Sequence, residues 1–188
     1  AEIIISQYVE GSSFNKAIEI ANTSNASVSL DNFILAKSRN GGGNWDTQLP
    51  LTGRVIAAND VLVISHASAN SAIQAVSDGN DGSVINFNGD DPVALLNSDG
   101  SVHDVLGVMG GINWGKDTTL VRNSDSLTPS AAYQAAQWSA LGKDNIEGLG
   151  ALDAVEPPAE FTCTQEGSEP TFTSIQAIQG EGQTSPFI

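Results

Sequence analysis

The chain has 188 residues and a formal net charge of −15, with 22 acidic and 7 basic residues. This length leaves room for one ordinary domain and a tail, and a charged fraction of 15 % is too low for charge repulsion to keep most of the chain unfolded. Seven scattered cations cannot form the basic stripe that binds nucleic-acid phosphates, so direct DNA binding by this chain is disfavoured. No apolar run approaches the roughly 18 residues of a transmembrane helix, so we expect no transmembrane segment.

The first 125 residues alternate short β-branched runs with clusters of Gly, Asn, Asp and Ser, a pattern typical of a small all-β sandwich. We expect strands over residues 2–9, 16–22, 32–38, 54–57, 60–66, 83–87, 92–97, 101–107 and 118–123. Apolar residues at helical spacing predict one short helix over residues 67–77. Nine short strands fit a single sandwich of immunoglobulin-like size.

The last third of the chain reads differently. Residues 128–158 are loop-like, with Trp138 and Leu141 as expected anchors. The sequence VEPPAEF then indicates a semi-rigid linker, so we expect one domain over residues 1–155, followed by a linker and the truncated start of a second domain over 156–188. Cys163 is the only cysteine, which excludes an intrachain disulfide and leaves open either a partner elsewhere or an inert thiol.

The dipeptide Asp99-Gly100 predicts a two-residue β-hairpin turn with positive φ at both positions. A turn of this kind would place Leu96 opposite His103 and Leu95 opposite Asp104. Both faces of the hairpin would then be largely apolar. We therefore expect Asp104 to be partly buried and hydrogen-bonded to the backbone, and assign structural roles to Asp99, Gly100 and Asp104.

Four further aspartates are candidates for a metal site. Asp90 and Asp91 are adjacent in an expected turn before the hairpin, and Asp78 and Asp81 lie in a second turn. Such carboxylates can bind Ca²⁺, which takes six to eight oxygen ligands, or they can accept hydrogen bonds from backbone N–H groups in turns. No consensus calcium loop is present. Both interpretations of these four residues stay open.

No catalytic motif is visible in the sequence. Neither histidine has a His, Cys or Glu neighbour at zinc-ligand spacing, and no nucleophile elbow, phosphate-binding loop or dinucleotide fingerprint occurs. Trp45 and Trp114 lie in glycine-rich segments. We interpret them either as packing residues or as ligand contacts.

Several segments, in this order, resemble the lamin-tail domain of bacterial secreted proteins over roughly residues 2–150. They read IIISQYVEGSSFNKAIEIANTS, SLDNFILAK, VIAANDVLVIS, INFNGDDPVALLNSDGSVHDVLG, NWGKDTTLVRN and QWSALGKDNIEGLG. The resemblance implies an all-β, immunoglobulin-like β-sandwich. It places Asp90 and Asp91 on the family's Gly-Asp-Asp turn and Asp104 on its hairpin aspartate, while Gln7 stands where a glutamate is common.

The tail, FTCTQ to TSPFI, is similar to the entry into the OB-like domain of large bacterial extracellular nucleases. This resemblance implies that the parent is a secreted DNase of the endonuclease/exonuclease/phosphatase type, which degrades extracellular DNA with Mg²⁺, Mn²⁺ or Ca²⁺. The chain would then be its non-catalytic N-terminal accessory module, extracellular or associated with the cell surface, with other domains of the same polypeptide as partners. The alternative is a calcium-dependent binding module that stabilises loops or bridges to substrate.

Overall fold

The computed structural model describes residues 2–152, which form twelve β-strands, one α-helix and two 3₁₀ turns. The strands are β1 (Ile3–Glu10), β2 (Lys16–Asn22), β3 (Val28–Ser29), β4 (Phe33–Lys37), β5 (Thr47–Pro50), β6 (Val55–Ile56), β7 (Asp60–Ser65), β8 (Gly79–Asn80), β9 (Val93–Asn97), β10 (Val102–Leu106), β11 (Thr118–Arg122) and β12 (Trp138–Leu141). The helix is α1 (Ser71–Val76), and the 3₁₀ turns are Arg39–Gly41 and Ala135–Gln137. The prediction of a mainly β fold with one short helix is confirmed.

Two large sheets pack face to face. One has six strands in the order β12-β11-β1-β2-β7-β8, antiparallel except for the β7–β8 pair, and the other has the order β10-β9-β4-β5. Strands β3 and β6 form a separate two-stranded ribbon. A single apolar cluster takes side chains from both large sheets, including Ile5, Ile20, Leu35 and Leu95. The core therefore lies between the two sheets, as in a β-sandwich.

Strand β1 contains a β-bulge that keeps apolar side chains in this core on both sides of it. Ile5 faces the core, and the register against β2 shifts between Ile5 and Gln7. The extra residue, Ser6, reverses the alternation of side chains, so Tyr8 rather than Gln7 joins the core. Gln7 instead donates a hydrogen bond from its side-chain amide to the carbonyl oxygen of Glu147, at 3.2 Å.

The outer face of the six-stranded sheet is covered too. Val9 packs there against Ile73 of α1 and against Leu149, which belongs to the last described turn of the chain. Glu19 fixes that turn, since its Oε2 accepts a hydrogen bond from the backbone N–H of Gly150 at 2.7 Å. Every residue of β1 and β2 is consequently buried.

The N-terminal half of β1 has a strand neighbour on one side only, because its ladder with β11 covers only its C-terminal half. Side chains satisfy the backbone on the open side. The N–H of Ile5 donates to Asp104 Oδ2 at 2.8 Å, and its carbonyl oxygen accepts from Arg122 Nε at 3.1 Å. His103 Nε2 donates to the carbonyl oxygen of Ile3 at 2.8 Å. Asp104, expected to be partly buried, is fully buried.

The turn between β9 and β10 differs from the predicted two-residue type. Gly100 has a positive φ of 84°, but Asp99 does not. The carbonyl oxygen of Asn97 accepts from the N–H of Gly100 at 2.9 Å, and the N–H of Asn97 donates to the carbonyl oxygen of Ser101 at 2.9 Å. The loop is therefore residues 98–100, a common three-residue form in which only the last position needs left-handed backbone.

The longer loop changes the hairpin register, and a bulge corrects it. Leu96 lies opposite Val102, so the predicted pairing of Leu96 with His103 is wrong. The register shifts between Val102 and Asp104, and from there the predicted pairing of Leu95 with Asp104 is restored. The extra residue is His103, which lets both His103 and Asp104 reach β1.

The predicted strand over residues 83–87 is wrong. Asp81 Oδ1 accepts hydrogen bonds from the N–H groups of Ser83 and Val84, at 2.9 and 2.6 Å, and so bends the backbone into a turn. Val84 and Phe87 are nevertheless fully buried in the core. The apolar pattern of this segment indicates burial rather than strand pairing.

Two other elements have different bounds from those predicted. The helix expected over 67–77 covers only Ser71–Val76, because Asn70 caps it by accepting from the N–H of Ile73 at 3.0 Å. Within the segment expected to be loop-like, Trp138–Leu141 forms β12 and pairs with β11.

The expected domain boundary, residues 156–188 and Cys163 lie outside the described residues. Among residues 2–152, no helix is long and apolar enough to cross a membrane.

Candidate functional site

Three loops meet at one end of the sandwich, here called the loop end. The loop end consists of residues 38–46, 81–92 and 107–117. Backbone hydrogen bonds join the loops, from the N–H of Gly110 to the carbonyl oxygen of Gly41 and from the N–H of Trp114 to the carbonyl oxygen of Gly89, both at 2.8 Å. Gly41 has a φ of 58°, and a Cβ there would lie 2.8 Å from the backbone nitrogen of Gly110. This contact requires glycine.

Asp91 lies at the centre of the loop end and is 3 % exposed. Its Oδ1 accepts from the N–H of Asn40 at 2.6 Å, and its Oδ2 accepts from the N–H of Asn88 at 2.7 Å. Each carboxylate oxygen thus holds one of two neighbouring loops. This arrangement fixes the loops relative to each other.

Asp90 has different surroundings. It is half-buried and lines a recess of about 230 Å³ together with Glu10, Asn113 and Lys116. Glu10 is already engaged, because its Oε1 lies 2.7 Å from Lys16 Nζ. Within residues 2–152, the carboxylate of Asp90 forms no hydrogen bond.

Asp78 and Asp81 both accept hydrogen bonds from the backbone. Asp78 Oδ2 accepts from the N–H of Val63 at 2.8 Å, and Asp81 accepts from two N–H groups of its own turn. Residues 2–152 contain no group of three or more His, Cys, Asp or Glu side chains placed to hold a metal ion. The Ca²⁺ site stays a prediction, and Asp90 is the candidate ligand that the backbone does not engage.

The two candidate tryptophans are both half-buried. Trp45 packs on a small apolar cluster on the outer face of the four-stranded sheet. Trp114 packs on the main core, with its ring centroid 5.0 Å from that of Tyr8. Its Nε1 is buried and has no hydrogen-bond partner in the described part of the chain. Both side chains therefore have packing roles, and their part in ligand contact stays a prediction.

A cavity of about 530 Å³ opens at the loop end, between the segments 38–46 and 81–92. The residues that line it include Lys37, Arg39, Thr47, Ser83, Asn86, Asn88 and Asp91. Its lining contains two cations, Lys37 and Arg39, in a chain that has seven.

Lys37 is the last residue of β4 and is 5 % exposed. Its Nζ donates one hydrogen bond, to the carbonyl oxygen of Asn86 at 2.8 Å. Burial lowers the pKa of the Lys37 ammonium, while the negative charge of Asp91 acts in the opposite direction and the positive charge of Arg39 lowers it further. The cavity thus contains the desolvated positive charge of Lys37, whose ammonium group has two further N–H groups that can donate to a ligand.

The sequence of residues 1–110 matches the family model of the lamin tail domain. The chain belongs to the lamin-tail domain family. Among curated proteins, none matches the chain. The matched residues include β1 to β10 and most of the loop end, whereas β11 and β12 of this lamin-tail domain follow the match. The immunoglobulin-like β-sandwich expected from the resemblance is confirmed, and a domain of this family is not itself catalytic.

The sequence did not indicate the cavity of the lamin-tail domain. From the sequence alone, Lys37 is expected to be an ordinary solvated lysine at the end of the strand FILAK. Its position gives a partial signal, since Leu35 and Ala36 precede it and both are fully buried. The walls could not be predicted, because the segment 82–88 was expected to be mostly strand.

Proposed function

We propose that this lamin-tail domain is a non-catalytic accessory module of a secreted bacterial DNase. The module would position the enzyme through contacts with other domains of the polypeptide, with other proteins or with a surface. The DNase itself would degrade extracellular DNA with a divalent metal bound elsewhere in the polypeptide. The order of the sequence segments and the tail after residue 160 support this parent.

One observation carries the proposal for this chain. Asp78, Asp81, Asp91 and Asp104 all accept hydrogen bonds from backbone N–H groups. Carboxylates that are engaged in this way hold turns and strands together. These four carboxylates therefore have structural tasks.

The loop end supplies a surface for contacts. Met109 is 38 % exposed and Ile112 is 60 % exposed, two of the four large apolar side chains that are exposed in residues 2–152. Both lie in the loop that follows β10. Loops on a rigid sandwich commonly carry binding functions, so this loop is the first candidate for docking in the parent protein.

Two experiments test the proposal. Sequencing the reading frame beyond residue 188 should reveal an OB-like domain followed by a nuclease domain, and a frame that encodes unrelated domains would contradict the proposed parent. The purified chain should leave double-stranded plasmid DNA intact in Mg²⁺, Mn²⁺ or Ca²⁺. Cleavage that persists through repurification would contradict the assignment of a non-catalytic module.

A further inference from the structure

Lys37, which lines the cavity, differs from the other buried cations of the described residues in its lack of an ion pair. Three basic residues are buried in the described part of the chain, Lys16, Lys37 and Arg122. Lys16 Nζ lies 2.7 Å from a Glu10 carboxylate oxygen, and Arg122 Nη2 lies 2.5 Å from Asp104 Oδ2. Among residues 2–152, no carboxylate forms an ion pair with Lys37. A buried charge without a carboxylate at ion-pair distance is costly, so its retention beside a cavity calls for a ligand.

The carboxylates near Lys37 do not serve as its partner. Both oxygens of Asp91 are directed to backbone N–H groups of the loop end. Asp46 and Asp81 are close enough to act on the pKa of Lys37, but each accepts hydrogen bonds in its own turn. The negative charges of these three aspartates repel an anionic ligand, and the repulsion increases with the charge of the ligand. A ligand with several anionic groups is thereby disfavoured.

Arg39 adds a second cation to the same cavity. Its side chain is exposed and forms no ion pair within the described residues. A guanidinium group matches the geometry of carboxylate and phosphate, to which it can donate two parallel hydrogen bonds. Asn86, Asn88 and Ser83 also line the cavity, and these residues carry neutral amide and hydroxyl groups. These neutral groups suit a ligand that also has hydroxyls.

We propose that the cavity binds a small hydroxylated ligand with one carboxylate or phosphate group, held by Lys37 and Arg39. The volume of about 530 Å³ lies within the range of about 300–1,000 Å³ that is usual for small-molecule sites. A sugar acid and a sugar phosphate share the required chemistry. The site is independent of the proposed nuclease parent, and duplex DNA fits it poorly because several phosphates would face a chain of net charge −15.

The test is calorimetric titration of the 188-residue chain with glucuronate, glucose 6-phosphate and uncharged glucose. At least one of the two anions should bind saturably, with a Kd of about 1 mM or lower, and glucose should bind more weakly than that anion. Saturation by glucuronate alone would identify a carboxylate ligand, and saturation by glucose 6-phosphate alone would identify a phosphate ligand.

Two arginine variants locate the binding. Arg39→Gln should weaken the anion at least about tenfold, the loss expected for a hydrogen-bonded charge pair. Arg54→Gln is the matched control, because it removes the same charge outside the cavity lining, and it should leave the affinity unchanged within about twofold. Arg39 is exposed, so its variant should melt like the wild type.

Four results would overturn the proposal. They are equal binding of glucose and the anions, no saturable binding of either anion up to about 10 mM, wild-type affinity in Arg39→Gln, and equal weakening in both arginine variants.

Discussion

Asp104 Oδ2 lies 2.5 Å from Arg122 Nη2 in the interior of the sandwich, and both side chains also bind the backbone of Ile5. Asp104 is on β10 of the four-stranded sheet, whereas Arg122 is on β11 of the six-stranded sheet. Asp104 Oδ1 additionally accepts from the N–H of Ser130 at 2.9 Å. The pair therefore joins the two sheets. It also completes the hydrogen bonding of the N-terminal half of β1, which does not pair with β11.

Asp104→Asn should lower the free energy of unfolding by about 3–5 kcal/mol, because it leaves Arg122 buried without a counter-charge. Urea titration measures this change, and exposed Asp125→Asn is the control. Arg122→Met should be destabilising as well, but the double variant should be less destabilised than the sum of the two. Additivity within about 0.5 kcal/mol would show that the two side chains act independently.

Lys37→Met should raise the free energy of unfolding of the ligand-free chain by about 1–2 kcal/mol, because methionine fills similar space without a buried charge. The same variant should lose anion binding. Thermal melts at neutral pH measure the first effect and calorimetry the second. If Lys37→Met were less stable than the wild type, the ammonium would have an adequate partner within the protein, contrary to the ligand proposal.

The pH dependence of this difference has a definite sign. Burial holds the pKa of Lys37 below its ordinary value of 10.5, so the folded chain releases this proton at a lower pH than the unfolded chain. The wild type should therefore gain stability relative to Lys37→Met as the pH rises between the two pKa values. A constant difference across that alkaline window would contradict the lowered pKa.

Asp144 connects the loop between β1 and β2 to the last described segment. Its carboxylate accepts from the N–H of Ser12 at 2.7 Å, from the Ser12 hydroxyl and from the Asn15 side chain at 3.0 Å. These hydrogen bonds, those from Ser12 and Asn15 side chains foremost, lower the pKa of Asp144 from 3.8. The loss of these hydrogen bonds in Asp144→Ala should cost about 1 kcal/mol at neutral pH after allowance for solvent screening, in addition to the strain of alanine at a φ of 59°.

The contribution of Asp144 should be present above pH 3.8 and disappear as the pH falls through its folded pKa. Melts of the wild type and Asp144→Ala should accordingly draw closer from neutral to acidic pH, down to the constant difference that alanine causes at the left-handed φ of 59°. Asp125→Ala, an exposed aspartate outside this contact, provides the comparison. Melting curves that stay equally far apart in acid would contradict a role for the ionised carboxylate.

Adjacent Asp90 and Asp91 provide a matched pair of variants. Asp91→Ala should lower the free energy of unfolding by about 1–3 kcal/mol, since the backbone N–H groups of Asn40 and Asn88 lose a charged acceptor. Asp90→Ala should change it by less than about 0.5 kcal/mol. A Ca²⁺ ion bound by both would instead raise the wild-type melting temperature over EDTA by several degrees, and this rise would vanish in both variants.

The sheet architecture could be predicted because the strands of the core carry strong β-branched runs. The bulges at Ser6 and His103 could not, since a bulge depends on which strand supplies the partner and not on the residue alone. Residues 83–87 were predicted as a strand that does not form. Their apolar residues are buried as a strand would be, but the side chain of Asp81 competes successfully for the backbone.

The candidate site was harder to predict than the fold. The clustering of aspartates in the sequence predicts a metal site, yet three of the four candidate ligands accept hydrogen bonds from nearby backbone. Lys37 and Arg39 were not predicted to belong to a site, because the cavity that they line forms only where separate loops meet. Burial of a charge is a tertiary property, and local sequence carries little information about it.

The most direct test compares DNA cleavage by the intact polypeptide and by the same polypeptide lacking residues 1–155, on free plasmid DNA. An accessory module of a DNase predicts cleavage by both proteins at similar rates per molecule. No cleavage by the intact polypeptide, or a loss of cleavage on deletion of the lamin-tail domain from a still-folded remainder, would contradict it.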